Sequence, residues 1–235
     1  MKTVEKLYWK DAYVKEFDAA VTGAEGRNVF LDRTAFHPQG GGLPGDSGHI
    51  GDLRVEDTIK EGEQEIVHVI EGTSHLEKDS EVHCAIDWPR RYRIMKMHTA
   101  AHALSAVFHR EAGALITGNQ IRQDESRIDF SLENMNREEI LGYIEIVNDE
   151  LKRDLPVRTY FLPREEALKI PGVIKLASTS PPNVENFRIV EIEGLDIQAD
   201  GGVHVRRLGE IGRIEVTRLE NKGKQNRRLY FRVAD

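Results

Sequence analysis

Positions 98 to 102 read His98-Thr99-Ala100-Ala101-His102. Histidines four apart on a helix share one face, close enough for both imidazoles to reach a single cation. Far downstream, Asp200-Gly201-Gly202-Val203-His204 offers a second pair of donors. The two glycines let the backbone turn tightly, so the Asp200 carboxylate and the His204 imidazole can converge on one point. Three imidazoles and a carboxylate form a borderline-hard set suited to Zn²⁺ ahead of iron or manganese. An HxxxH pair alone is usually two surface or capping histidines, and the downstream segment is what raises a metal site to an even alternative. Position 99 is threonine where a zincin protease needs a glutamate base, so a conventional metalloprotease is disfavoured.

The histidine pair needs a helix, and the surrounding residues supply one. Asp87-Trp88-Pro89 reads as a helix start, and neither glycine nor proline interrupts the chain from there to His109. Ile94, Met97, Ala101, Leu104 and Phe108 recur at three- and four-residue steps, the buried stripe of an amphipathic helix. Before it lie short strands at 29–31, 34–36, 53–55, 66–70 and 82–86, broken by turns and a glycine-dense loop. This spacing predicts a small β-barrel. After it come a strand at 127–130, a second helix over about 137–152, and extended runs at 157–161, 187–192, 212–219 and 229–233. The expected architecture is α+β: a barrel domain at residues 1–88, then an α+β domain at 89–235 with an antiparallel sheet and the HxxxH helix.

A chain of 235 residues can bury a substantial core. With 39% hydrophobic and 31% charged residues it has the balance of a soluble globular protein, and no apolar run reaches membrane-span length. No signal peptide is evident, so a cytoplasmic location is expected. Cys84 is the sole cysteine, which rules out an intramolecular disulfide; it alternates with Val82 and Ile86 and is expected to be a core thiol. A net charge of −7 argues against non-specific nucleic-acid binding over the whole surface. Basic residues nevertheless gather between Arg206 and Arg232 and again at Arg90, Arg91, Arg93 and Lys96. Each group is either a solvated face or a local phosphate-binding patch.

These segments together resemble the editing domain of alanyl-tRNA synthetase and its free-standing AlaX relatives. His98 to His102 with the Asp200-to-His204 segment is similar to that family's HxxxH and CGGTH motifs. Arg206-Arg207-Leu208-Gly209-Glu210-Ile211-Gly212 resembles the continuation, and Lys222-Gly223-Lys224-Gln225-Asn226-Arg227-Arg228 the terminal hairpin. Leu31 to Gly48, with its glycine triplet, is similar to the glycine-rich segment of the N-terminal barrel. The resemblance spans nearly the whole chain with four motifs in order, and its length matches the medium-sized AlaX type. Asp200 stands where many members have cysteine and Val203 where they often have threonine, which leaves the fourth ligand open.

The resemblance implies hydrolysis, in trans, of the ester joining serine or glycine to alanine tRNA, with one zinc ion held by His98, His102 and His204 and with Asp200 at the open fourth place. A zinc ion there either lowers the pKa of a bound water to about 7 or holds the substrate's α-amino group. Telling serine from alanine calls for a buried polar partner for one hydroxyl. Thr34 is the first candidate, with Asn119 and Gln120 after the metal helix as others. The triplet Gly40, Gly41 and Gly42 either approaches the terminal adenosine or forms a plain turn. Arg90, Arg91, Arg93, Lys222, Lys224, Arg227 and Arg228 are candidate phosphate contacts. The rival readings are another metal-dependent esterase or amidase, and a non-catalytic tRNA-binding module with a structural metal.

Overall fold

A computed structural model describes residues 4–62, 65–133, 136–175 and 184–234. The chain divides into two compact units, Met1–Ile94 and Met95–Asp235. The boundary expected at residue 88 falls where a long helix begins, and the division runs through that helix.

The first unit contains β1 (Glu5–Lys6), α1 (Leu7–Lys10), β2 (Glu16–Glu25), β3 (Asn28–Leu31), β4 (Arg33–Thr34), β5 (Gly48–Ile50), β6 (Leu53–Glu61), β7 (Glu65–Ile70) and β8 (Glu81–Ile86). Antiparallel pairing runs β2-β3-β7-β6-β5-β8, and β8 pairs back onto β2, so the sheet closes into a six-stranded ring. Strand alternation explains the closure. Phe17, Ala19 and Val21 of β2 point inward with Val29, Leu31, Ile50, Val55, Ile70, Cys84 and Ile86, and one apolar core fills the ring. The expected core thiol is there: burial pushes the Cys84 thiol up to about 12, which leaves it inert.

The second helix, α2 (Trp88–Ala112), begins after Asp87, whose backbone carbonyl accepts from Arg91 N–H at 2.9 Å. It departs from the amphipathic helix expected of it. From Met97 to Phe108 every residue is buried, because Ala100, Ala103, Ser105 and Ala106 put small side chains opposite the apolar stripe. The second unit continues with β9 (Ile116–Gln120), β10 (Ser126–Phe130), α3 (Arg137–Lys152), β11 (Val157–Pro163), α4 (Arg164–Ala167), β12 (Asn186–Ile192), β13 (Asp196–Ala199), β14 (Arg213–Asn221) and β15 (Arg227–Ala234). Two antiparallel sheets result, β14-β15-β10-β9 and β11-β12-β13.

Helix α3 starts where Asn136 caps it, its side chain accepting from Glu138 N–H at 2.9 Å. Ile140, Ile144, Val147 and Leu151 form its buried face, and the Asn148 amide bonds both the N–H (2.8 Å) and the C=O (3.1 Å) of Ile214 in β14. Phe108 of α2 stacks on Phe130 of β10 with ring centroids 4.4 Å apart, which sets α2 against the sheet face carrying Ile128 and Phe130. Among the described residues no helix is long and apolar enough to cross a membrane.

Candidate metal centre

The fold brings the two motifs together within the second unit. Donor atoms of His98, His102, Asp200 and His204 all lie within 4.8 Å of one another. The Asp200 carboxylate sits among the rings, 3.6 Å from His98 Nε2, 3.9 Å from His102 Nε2 and 3.2 Å from His204 Nε2. Helical spacing supplies the first pair. The glycines supply the second, since a Cβ built on Gly202 would lie 2.6 Å from His98 Cε1 and 3.0 Å from Asp200 Oδ1. Only glycine fits that cradle.

Each imidazole is oriented through its other nitrogen. His98 Nδ1 donates to the Val203 carbonyl at 3.3 Å, and His102 Nδ1 donates to Asp196 Oδ2 at 2.9 Å. Thr99 Oγ1 gives its proton to the Met95 carbonyl at 2.9 Å, so toward His204 Nδ1, 3.1 Å away, it can only accept. All three rings therefore carry a proton on Nδ1, which leaves Nε2 as the nitrogen each ring can offer to the common point. That is the tautomer a divalent cation requires, with the outer partners that metal-binding histidines ordinarily have.

Electrostatics agree with a cation site. Burial holds the His98 imidazole down to about 4 against the pull of Asp200, and burial beside His98 holds His204 well below its usual value. Burial opposes charge on His102 too, but its hydrogen bonds to Asp196 and Asp200 raise it to about 9, so a cation bound there takes the place of its Nε2 proton. Although burial works the other way, the surrounding imidazoles keep Asp200 well below the ordinary carboxylate range. An anionic Asp200 facing three Nε2 atoms suits Zn²⁺, and the donor types and their convergence fit that ion. The histidine side chains are 6%, 7% and 2% exposed against 23% for Asp200, so the cluster opens on the carboxylate side.

The other sequence candidates fall in different places. Thr34 is fully buried, its hydroxyl donating to His68 Nε2 at 2.8 Å and accepting from Phe36 N–H at 3.0 Å. That hydroxyl holds the ring together and does not await a ligand. Gln120 is half-buried, its Oε1 3.5 Å from Arg127 Nε. Asn119 is different: its Oδ1 is buried and finds no hydrogen-bond partner among the described residues. It lies opposite Ile128 in the β9–β10 ladder and so shares the face against which α2 packs. The glycine triplet is a tight turn. Gly40 and Leu43 bond each other's backbone, and the intervening exposed Gly41 and Gly42 take φ of 61° and 89°.

Two expected phosphate contacts prove structural. Arg91 is fully buried, its Nε 2.9 Å from both oxygens of Asp46, with further bonds to the carbonyls of Ala12 and Ala35. Arg227 is buried and gathers the carbonyls of Gly223, Lys224, Asn226 and Glu133, tying the terminal hairpin. Arg228 is engaged by Asp129 at 2.7 and 2.8 Å. Lys222 and Lys224 are exposed, while Arg90 and Arg93 are half-buried, Arg90 donating to the Gly45 carbonyl at 2.7 Å. Sequence reading missed Thr99, Lys175, Asp196 and Gln198. A polar side chain at every second position from Asp196 to Asp200 was the available signal.

The comparisons with known proteins fit this geometry. The chain matches the family model for class II (A) tRNA synthetases over residues 4–90, and that for the second additional domain of threonyl and alanyl tRNA synthetases over residues 187–230. These matches define a synthetase-related protein whose second unit carries a four-donor cluster. It is 46% identical over 234 residues to the alanyl-tRNA editing protein AlaX-M of Saccharolobus solfataricus, covering 97% of this chain and 98% of that protein. It is 42% identical to AlaX-M of Methanosarcina barkeri, covering 98% and 99% respectively. An alanine–tRNA ligase from Pyrobaculum calidifontis is 41% identical over 92% of this chain, which corresponds to 25% of the ligase. The chain belongs to the AlaX-M family of alanyl-tRNA editing proteins.

Proposed function

We propose that this protein is a trans-acting deacylase that hydrolyses seryl and glycyl esters of alanine tRNA with one zinc ion held by His98, His102, Asp200 and His204. The carrying observation is the convergence of these four donors within 4.8 Å, with every imidazole oriented through Nδ1. Bound there, zinc would supply a Lewis acid beside the ester carbonyl or the α-amino group. The chain's own residues do the rest. The three Nδ1–H bonds fix the rings in place, and the buried rings exclude water from all but the Asp200 side. Asp200, held anionic, orients a hydrogen-bond donor at the open edge. With four protein donors the ion would take up water or substrate by expanding to five-coordination or by Asp200 giving up its place at the exposed edge.

In this reading the six-stranded ring is the small β-barrel domain, and residues 89–235 form the editing domain. The exposed Lys222 and Lys224, with Arg90 and Arg93, give the tRNA backbone its cationic contacts. The reaction belongs to the cytoplasm, where tRNA is charged.

Discrimination against alanine is assigned to Asn119. Its buried Oδ1 lacks a donor among the described residues, and an acceptor left in that state costs about 1–3 kcal/mol. A serine hydroxyl satisfies it, alanine does not, and glycine gains nothing from it. Asn119→Ala is therefore expected to lower seryl-tRNA hydrolysis about ten-fold or more while leaving glycyl-tRNA hydrolysis nearly unchanged. Equal losses on both substrates would remove Asn119 from this role. The whole reading is tested by deacylation of seryl-, glycyl- and alanyl-tRNA with and without a zinc chelator. Seryl- and glycyl-tRNA should be cleaved and alanyl-tRNA spared, with activity lost to chelation and restored by zinc. Chelator-insensitive turnover, or equal cleavage of alanyl-tRNA, would overturn it.

A further inference from the structure

Strand β13 escaped hydrophobic patterning because its inward positions are polar. Asp196 and Gln198 are buried, alternating with Ile197 and Ala199, and Asp200 follows in the same phase. One extended segment thus delivers a donor to the metal cluster and two polar groups behind it. Asp196 is the centre of that second group. Its Oδ2 accepts from His102 Nδ1 at 2.9 Å and from Gln198 Nε2 at 2.8 Å, while Oδ1 takes the Lys175 ammonium. The Asp196 side chain is completely buried and that of Lys175 is 9% exposed.

A buried ion pair is a weak stabilising device, because desolvating two charges offsets most of their attraction. What this one supplies is direction. A carboxylate has no proton to give, so the His102 nitrogen facing it must carry one, and Nε2 is the nitrogen that can bind a cation. Among the described residues His102 is the one member of the cluster whose Nδ1 meets an anion. His98 relies on a backbone carbonyl and His204 on a hydroxyl. An anionic partner also makes an imidazole a stronger ligand. Lys175 and Gln198 together hold both carboxylate oxygens, so the Asp196 side chain cannot rotate away from His102.

We propose that Asp196 is a positioning residue of the metal centre, aiming His102 Nε2 at the cation, and that Lys175 and Gln198 fix Asp196 in turn. This rests on the reading of His98, His102, Asp200 and His204 as metal ligands. Beyond the ion pair, Lys175 and Asp196 line a cavity of about 460 Å³ with His109, Pro171 and Leu195, which leaves room for a methionine side chain at position 175.

The test compares the full-length protein with Asp196→Asn, Lys175→Met and the double variant. Zinc affinity is read by competition with a chromophoric chelator, ligand geometry from the visible spectrum of the cobalt-loaded protein, and stability from the metal-free thermal midpoint. Asparagine keeps an acceptor for His102 but removes its charge and turns its NH₂ on the Lys175 ammonium, so the single variant loses stability as well as the anion that holds and strengthens His102 as a ligand. Removing the ammonium in the double variant should restore the thermal midpoint. Zinc affinity should fall about 10- to 100-fold in Asp196→Asn and stay low in the double variant, with an altered cobalt spectrum in both. Recovery of affinity together with stability in the double variant would reduce the trio to a packing device and overturn the proposal, as would wild-type affinity in Asp196→Asn. A wild-type protein that binds neither zinc nor cobalt would instead defeat the ligand assignment itself, and this proposal with it.

Discussion

Replacing Gly202 with alanine adds one methyl group at the tightest point of the cluster. Its Cβ would lie 2.6 Å from His98 Cε1, 2.9 Å from His98 Nδ1 and 3.0 Å from Asp200 Oδ1. Carbon atoms in contact sit about 3.5–4.0 Å apart, so something must yield by roughly 0.9 Å. The atoms in the way are the His98 ring and the Asp200 carboxylate, which are two of the four donors. Metal–ligand distances tolerate only about 0.2 Å, and a misplacement of about 1 Å can lower turnover by about 10²-fold. Gly202→Ala is thus expected to weaken zinc binding by at least ten-fold and to lower kcat/KM for seryl-tRNA by about 10²-fold. Gly201→Ala is the internal control, because a Cβ there meets nothing within 4 Å among the described residues. It should stay within about two-fold of wild type on this steric argument. Chelator competition and steady-state deacylation measure both variants. Wild-type zinc affinity in Gly202→Ala, or equal damage at the two positions, would refute the close-approach argument.

Three further outcomes follow from named interactions. Arg91→Met strands the Asp46 carboxylate in the ring unit and should cost about 3–5 kcal/mol in urea unfolding; Trp9 and Trp88, the only tryptophans, both lie in that unit and report on it selectively. A loss below about 1 kcal/mol would show that the pair matters little. Burial holds the His68 imidazole down to about 4 from 6.5, so its contribution is intact above pH 6.5 and is lost as the pH falls toward 4. The same fluorescence should show the ring unit losing about 3 kcal/mol across that window, and His68→Gln should abolish that slope. Finally, replacing Lys222 and Lys224 with alanine should weaken tRNA binding and flatten the dependence of log affinity on log salt by about one unit of slope for each phosphate that is no longer neutralised. An unchanged slope would remove these lysines from the interface.

What could be read from the residues, and what could not, divides along physical lines. The metal donors were legible because two short spacings each force convergence, and strands such as β7 and β15 were legible from apolar content. Strand β2 was not, since its Glu16 and Asp18 look like interruptions until Phe17, Ala19 and Val21 are seen to alternate with them. Strand β13 stayed hidden because buried Asp196 and Gln198 mimic a loop. The periodic stripe on α2 was real, but alanine is ambiguous between surface and interior, and the small face turned out to be buried. Arginine misled most. Arg91 and Arg227 carry the charge of a phosphate ligand, and only three-dimensional context reveals that Asp46 and a set of carbonyls already hold them. Thr34 misled in the same way, as a hydroxyl whose partners, His68 and Phe36 N–H, are remote or backbone groups that no motif announces.

The seam between the two units lies inside a continuous helix, and this bears on how such a protein can be taken apart. A fragment stopping at Ile86 would retain Asp46 but forfeit Arg91, leaving that buried carboxylate with the His37 N–H and no countercharge. A fragment starting at Met95 would place His98 in an opening turn that lacks hydrogen bonds above it and frays. The first unit must therefore keep the helix through Arg91 and the second must keep it from well before His98, so the stretch from Trp88 to His98 belongs with either half when one is transplanted onto another protein.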